Sequence, residues 1–96
     1  MATSSPRIGV VGLGRVGTAV TNSLLKHDFN VVSLLDVDEE RCAQFPSIKM
    51  ASSPHSLTKE VDVTITALPK PHHVKSVFEG DMGIYSAVNE GLFFRI

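Results

Sequence analysis

The sequence holds a single cysteine, no apolar run long enough to cross a bilayer, and no excess of either charge. Each shortage excludes something. Cys42 has no partner for an internal disulfide, and its place in a short apolar-polar segment points to a buried thiol in a reducing compartment, with the cytosol expected. Nine Lys and Arg are interspersed with ten Asp and Glu, for a net charge of -1. No basic stripe is left to attract nucleic acid or an anionic membrane, so neither is expected as a partner. The first strand is expected by Arg7 or Ile8, which makes residues 1–6 a short tail with no room for a signal or transit sequence. Residues 7–96 then read as one domain, too short for a cofactor domain plus a separate substrate domain. Repeats, low-complexity tracts and linkers are absent. So is a metal signature: His72 and His73 on a helix would point about 100° apart, and no cysteine or carboxylate is spaced to complete their shell. His27 and His55 are isolated, and no serine sits in a nucleophile elbow, so a hydrolase is not supported.

What is present is an alternation of apolar runs and helical stretches. Ile8-Gly9-Val10-Val11 reads as a buried parallel strand, and Val16, Ala19, Val20 and Leu24 recur at helical spacing after it, with Lys26 near the helix end. Val31 to Leu35 is a second strand ending at Asp36, and Asp38-Glu39-Glu40 looks like an acid-rich helix start. Ile48 to Ala51 is weakly strand-like, and Ser53-Pro54 is a good helix opening. Val61 to Leu68 is rich in β-branched residues and stops at Pro69. Helices are expected over His72 to Glu79 and Ile84 to Glu90, a turn over Gly80 to Gly83, and a fifth strand from Leu92-Phe93-Phe94. This is the pattern of an α/β fold: a Rossmann-type, doubly wound parallel sheet of about five strands in the order 3-2-1-4-5. Its ligands sit beyond the carboxyl ends of strands one and four.

The chemistry lies in Gly12-Leu13-Gly14-Arg15-Val16-Gly17. A G-x-G-x-x-G string alone is weak evidence, but this one follows an apolar strand, opens an amphipathic helix and precedes a second strand ending in a carboxylate. Gly12 would permit the tight turn, Gly14 would leave room for a pyrophosphate, and Gly17 would let helix and strand approach closely. The phosphates of NAD or NADP would then meet free amides at the helix N-terminus. Asp36, nineteen positions after Gly17, has the spacing of the acid that binds the adenosine ribose hydroxyls; it also reads as a turn residue or a cap for the Asp38 helix. A ribose role favours NAD, because two unit charges at 4 Å repel by ~4 kcal/mol at an effective dielectric near 20, which disfavours a 2′-phosphate there. Arg15 and Arg41 are the cations available to offset this.

These residues together resemble the β-hydroxyacid dehydrogenase superfamily, which includes 3-hydroxyisobutyrate dehydrogenase and 6-phosphogluconate dehydrogenase. Ile8 to Gly17 resembles its opening I-G-x-x-G-L-G-x-M-G, Asp36-Val37 its D-V, Val61-Asp62 with Ala67-Leu68-Pro69 its A-D…L-P, and Gly80, Gly83 and Ile84 its G-x-x-G-I. The resemblance implies hydride transfer between a nicotinamide cofactor and a small hydroxyacid. It places Gly12, Leu13, Gly14, Arg15 and Val16 around the pyrophosphate, Asp36 at the ribose, and Leu68-Pro69 on the opposite wall, although Pro69 reads equally as a plain strand terminator. Four departures stand out. Val16 replaces the usual methionine and Asp28 the usual helix-ending glycine. The stretch from Phe29 to Asp36 is one residue longer than usual, room for a bulge in strand two that leaves the register of Asp36 open. The chain stops at Ile96, ahead of the family's D-x-S-T substrate segment and of the helical domain with its catalytic lysine, so it looks like the first third of such an enzyme with no catalytic residue of its own. A non-catalytic dinucleotide sensor or recognition module is the alternative reading, with an S-adenosylmethionine site as a weaker third. Self-association through the fifth strand is also expected.

Overall fold

The computed structural model describes residues 6–68, Val77, Glu79, Gly83, Ile84 and the backbone of Leu92–Arg95. In chain order the elements are β1 (Arg7–Val11), α1 (Arg15–Lys26), β2 (Asn30–Leu35), α2 (Glu39–Cys42), β3 (Lys49–Met50), α3 (Pro54–Glu60), β4 (Val63–Thr66) and β5 (Leu92–Arg95). They form one sheet in the order β3-β2-β1-β4-β5, and every pairing is parallel. This is the topology expected from the alternation of strands and helices.

The central strand explains the two-sided packing. Ile8 and Val10 of β1 join Val31, Leu34, Cys42, Phe45 and Ile65 in one core, against which Val20 and Leu24 of α1 pack. Val11 faces the other way, into a second core with Ala51, Leu57 and Val61. Gly9 lies on that second face, and a Cβ there would meet the Leu57 side chain at 2.6 Å. Leu57, fully buried, presses α3 onto the sheet at that point. Cys42 sits in the first core, and burial pushes its thiol pKa up, against an opposing hydrogen bond with the Asp36 backbone.

The longer second strand resolves as a bulge. Ile8 pairs with Val31 but Gly9 pairs with Ser33, so Val32 is the extra residue. Register is then regular, Val11 pairs with Leu35, and Asp36 follows at the carboxyl end of the sheet. The insertion is absorbed before it can displace Asp36.

Helix α1 packs differently from the stripe expected of it. Its buried positions are Gly17 and Thr21, flanked by the half-buried Val20 and Leu24, whereas Val16 and Ala19 are exposed. The cause is the close approach at Gly17, which centres the contact on a residue with no side chain and turns Val16 outward. The Thr21 hydroxyl is satisfied within the helix by donating to the Gly17 carbonyl at 2.8 Å. The helix ends on Asp28, which holds the left-handed conformation at φ 62° where glycine was to be expected. Phe29 N–H donates to the Leu24 carbonyl at 2.9 Å and Asp28 N–H to the Leu25 carbonyl at 3.2 Å, the Schellman pattern.

Helix α3 starts at the expected Ser53-Pro54, with a reciprocal capping box between Ser53 and Ser56. Two strands are shorter than their apolar runs. β3 has two residues because it meets only Ser33 and Leu34 at the sheet edge. β4 is limited to Val63–Thr66 by the matching length of β1, although Ala67 N–H still donates to the Val11 carbonyl at 2.9 Å. Arg7 and Asp62 tie together the starts of β1 and β4 through a 3.3 Å ion pair. The helices and turn expected between His72 and Glu90 lie outside the described residues, apart from Val77, Glu79, Gly83 and Ile84. Among the described residues no helix is long and apolar enough to cross a membrane.

Candidate functional site

The turn from β1 into α1 is built around contacts that only glycine permits at two positions. Gly12 has φ +97°, and a Cβ there would fall on the carbonyl oxygen of Ala67 at the end of β4. A Cβ on Gly17 would fall on the carbonyl oxygen of Gly12 itself. These two residues let the chain fold back tightly and seat α1 against the loop. Gly14 is different: a Cβ there would meet nothing nearer than a guanidinium nitrogen of Arg41, at 3.6 Å. Its missing side chain leaves open space that the protein's own packing does not use.

That space belongs to a cleft of about 620 Å³ at the carboxyl edge of the sheet. Gly12, Gly14, Arg15 and Val16 form one wall, Asp36, Val37 and Arg41 a second, and Leu68 with Ala67 a third. Helix α1 begins at this cleft with no side-chain cap on its N-terminus and no acidic residue in its first turn. First-turn amides have no intrahelical acceptor, so a helix start of this kind presents several N–H groups and the positive end of the macrodipole to whatever fills the cleft.

Asp36 closes the site from β2. Its Oδ2 accepts from Leu13 N–H at 2.6 Å and its Oδ1 from Asp38 N–H at 2.8 Å. The side chain is only 6% exposed. Asp36 therefore both holds the glycine loop and shapes the turn into α2, while Asp38 caps that helix through Glu40 N–H at 3.0 Å. The two readings of Asp36 as a site residue and as a turn residue are compatible, because one carboxylate occupies both positions.

The fold thus brings Gly12, Gly14, Arg15, Val16, Asp36 and Leu68 to one cleft, while Leu13 is buried beneath it and Gly17 supports it from the helix. Pro69 lies outside the described residues, as do Lys70, His72, His73 and Lys75. Sequence reasoning missed the wall formed by Ser52 and Ser53 and the far side at Val77. Ser53 was legible only as a helix cap and Ser52 was not singled out; their place in the cleft follows from the crossover that carries α3 over the sheet. Val37, fully exposed, and Val16, half exposed, form apolar lips at the mouth.

The profile of the family described as the NAD binding domain of 6-phosphogluconate dehydrogenase matches residues 7–94. The chain belongs to that family. A probable mitochondrial 3-hydroxyisobutyrate dehydrogenase of Dictyostelium discoideum is 35% identical over 94 residues, which cover 95% of this chain and 29% of the relative. The mitochondrial 3-hydroxyisobutyrate dehydrogenase of Mus musculus is 33% identical over 93 residues, covering 95% of this chain and 27% of the relative. The chain therefore spans less than a third of these relatives. Among solved structures, the V8 variant of an imine reductase from Myxococcus stipitatus, in complex with NAD+, superposes with a TM-score of 0.87 at 15% identity, over 97% of this chain and 32% of that one. That likeness shows the Rossmann-type fold.

Proposed function

We propose that this chain is the cofactor-binding part of an NAD(P)-dependent oxidoreductase of the 3-hydroxyisobutyrate dehydrogenase type, acting on a small hydroxyacid in a longer form. The observation that carries this is the uncapped N-terminus of α1 opening on a cleft beside Asp36, with the unused space at Gly14 between them. The amides of Gly14, Arg15 and Val16 would receive the pyrophosphate, Asp36 the adenosine ribose, and the apolar lips at Val16 and Val37 the adenine faces. Leu68 would bound the opposite side, with Pro69 continuing it. A bound nicotinamide dinucleotide supplies the hydride acceptor; the chain's own residues hold and orient it.

Proton transfer from a hydroxyl needs a base within hydrogen-bond reach of it, and we assign that step to segments corresponding to the rest of the relatives, of which this chain covers less than a third. The cytosol is the compartment we assign, on the buried, unpaired Cys42, whereas the two relatives above are called mitochondrial. Imaging of the tagged chain separates these.

Calorimetry with NAD, paired with absorbance at 340 nm in the presence of 3-hydroxyisobutyrate, 4-hydroxybutyrate or 6-phosphogluconate, tests the assignment. Binding without NADH production is expected. Failure to bind either nicotinamide dinucleotide would remove the cofactor role, and NADH production lost on Lys70→Ala or Lys75→Ala would make this a minimal enzyme.

A further inference from the structure

We propose that Thr18 is a positioning residue for the cofactor phosphates: its hydroxyl locks the peptide between Leu13 and Gly14 so that the Gly14 N–H stays turned away from α1 and toward the cleft. The inference rests on the dinucleotide reading above and deepens it. Thr18 lies in the first turn of α1 and is not among the residues lining the cleft. Its Oγ1 donates to the Leu13 carbonyl at 2.9 Å, five positions back. A helical threonine ordinarily bonds the carbonyl three or four positions back, as Thr21 does with Gly17. For Thr18 the carbonyl four positions back, on Gly14, already accepts the Thr18 N–H at 2.9 Å. The hydroxyl reaches past the helix start into the glycine turn instead.

Planarity converts that bond into an orientation. A trans peptide holds its C=O and N–H on opposite sides, and the described residues contain no cis peptide. With the Leu13 carbonyl directed at Thr18, the Gly14 N–H points the opposite way, and it has no acceptor among the described residues. Gly14 lines the cleft and is the position where a missing Cβ leaves open space. The preceding peptide is fixed as well: Leu13 N–H donates to Asp36 Oδ2 at 2.6 Å, and the Gly12 carbonyl oxygen lies against Gly17. Glycine is what makes the second lock necessary. Gly14 has φ -70°, and reversing the peptide ahead of it would carry φ to a positive value that glycine adopts about as readily. The Leu13 side chain is anchored in the core, so the peptide could reverse without moving it. The residue that makes room for a phosphate thus frees its own amide to turn away, and Thr18 removes that freedom.

The test is calorimetric titration of the unaltered chain, Thr18→Val, Thr18→Ala and Thr18→Ser with NAD, ADP and adenosine, with circular dichroism confirming the fold of each. Only chains whose peptide is in the binding orientation take the phosphates, so removing the hydroxyl in Thr18→Val should weaken NAD and ADP by about three- to tenfold. Adenosine, which carries no phosphate, should bind the variant and the unaltered chain alike. Thr18→Ser keeps the donor and should restore NAD affinity to within about twofold. Alanine is a better helix former than threonine, so an equal loss of NAD affinity in Thr18→Ala cannot come from a weakened α1. Relaxation dispersion at the Gly14 amide should appear in Thr18→Val and vanish when NAD is bound. Unchanged NAD affinity in folded Thr18→Val and Thr18→Ala, an equal loss for adenosine, or no recovery in Thr18→Ser would overturn the proposal. Binding of neither NAD nor ADP by the unaltered chain would instead overturn the dinucleotide reading beneath it.

Discussion

At the scale of single residues, the three glycines of the turn divide into two kinds. Gly12 and Gly17 are required by the protein's own backbone, because a Cβ on either would strike a carbonyl oxygen; at Gly14, the N-cap of α1, a Cβ would meet only an Arg41 guanidinium nitrogen at 3.6 Å. Substitutions should therefore separate folding from binding. Gly14→Val is expected to leave the circular dichroism spectrum and melting temperature nearly unchanged while lowering NAD affinity about a hundredfold or more, since each lost charged hydrogen bond is worth about 1.5–3 kcal/mol. Gly17→Ala should instead destabilise the chain by about 1–3 kcal/mol or more, through a clash that only a backbone shift relieves. Undiminished NAD affinity in a folded Gly14→Val variant would take phosphate binding away from this turn. The motif was legible in the sequence because Gly12 and Gly17 have backbone roles and Gly14 leaves space for a ligand. The double use of Asp36 was only half legible: spacing marked it, but the 2.6 Å bond to Leu13 N–H depends on how two loops meet.

At the scale of elements, the instructive places are where local sequence rules yield to packing. The Val32 bulge was foreshadowed by a count of residues, whereas its position was not, because either side of the strand could have absorbed the extra residue. The buried face of α1 was misjudged because apolar spacing points to Val16 and Ala19, while the sheet contact is decided by the absence of a side chain at Gly17. The C-terminus of α1 was read correctly from a departure. Asp28 adopts φ 62°, and it also places a negative charge at the negative end of the helix dipole. Both effects are unfavourable, so Asp28→Gly is expected to stabilise the chain by about 1 kcal/mol, which for a domain of this size raises the melting temperature by roughly 4–8 °C. Thermal denaturation followed at 222 nm checks this, and a lowered melting temperature would show that the Asp28 side chain makes a compensating contact.

At the scale of the whole molecule, the described apolar residues of a 96-residue chain divide between two faces of one sheet. The sheet also ends on β5, which pairs with β4 on one side and with no strand among the described residues on the other. An unpaired strand edge is a template for association, so the isolated chain is expected to be marginally stable and to melt in a concentration-dependent way. Ligand binding should counteract the first of these. The cleft is assembled from the ends of β1, β2 and β4 and exists only when all three are in register, so a nucleotide that fills it binds the folded state alone. At a free concentration a hundred times the dissociation constant, such a ligand adds ~2.7 kcal/mol of stability by mass action. At roughly 4–8 °C per kcal/mol, that amounts to a rise of about 10–20 °C in melting temperature. The Gly14→Val variant, with its fold intact and its phosphate path blocked, should show almost none of this rise. Differential scanning of both proteins with and without NAD, at two protein concentrations, checks the argument. A sharp melt that ignores protein concentration would remove the edge-strand association, and one unmoved by saturating NAD would mean that the cleft does not hold the dinucleotide at all.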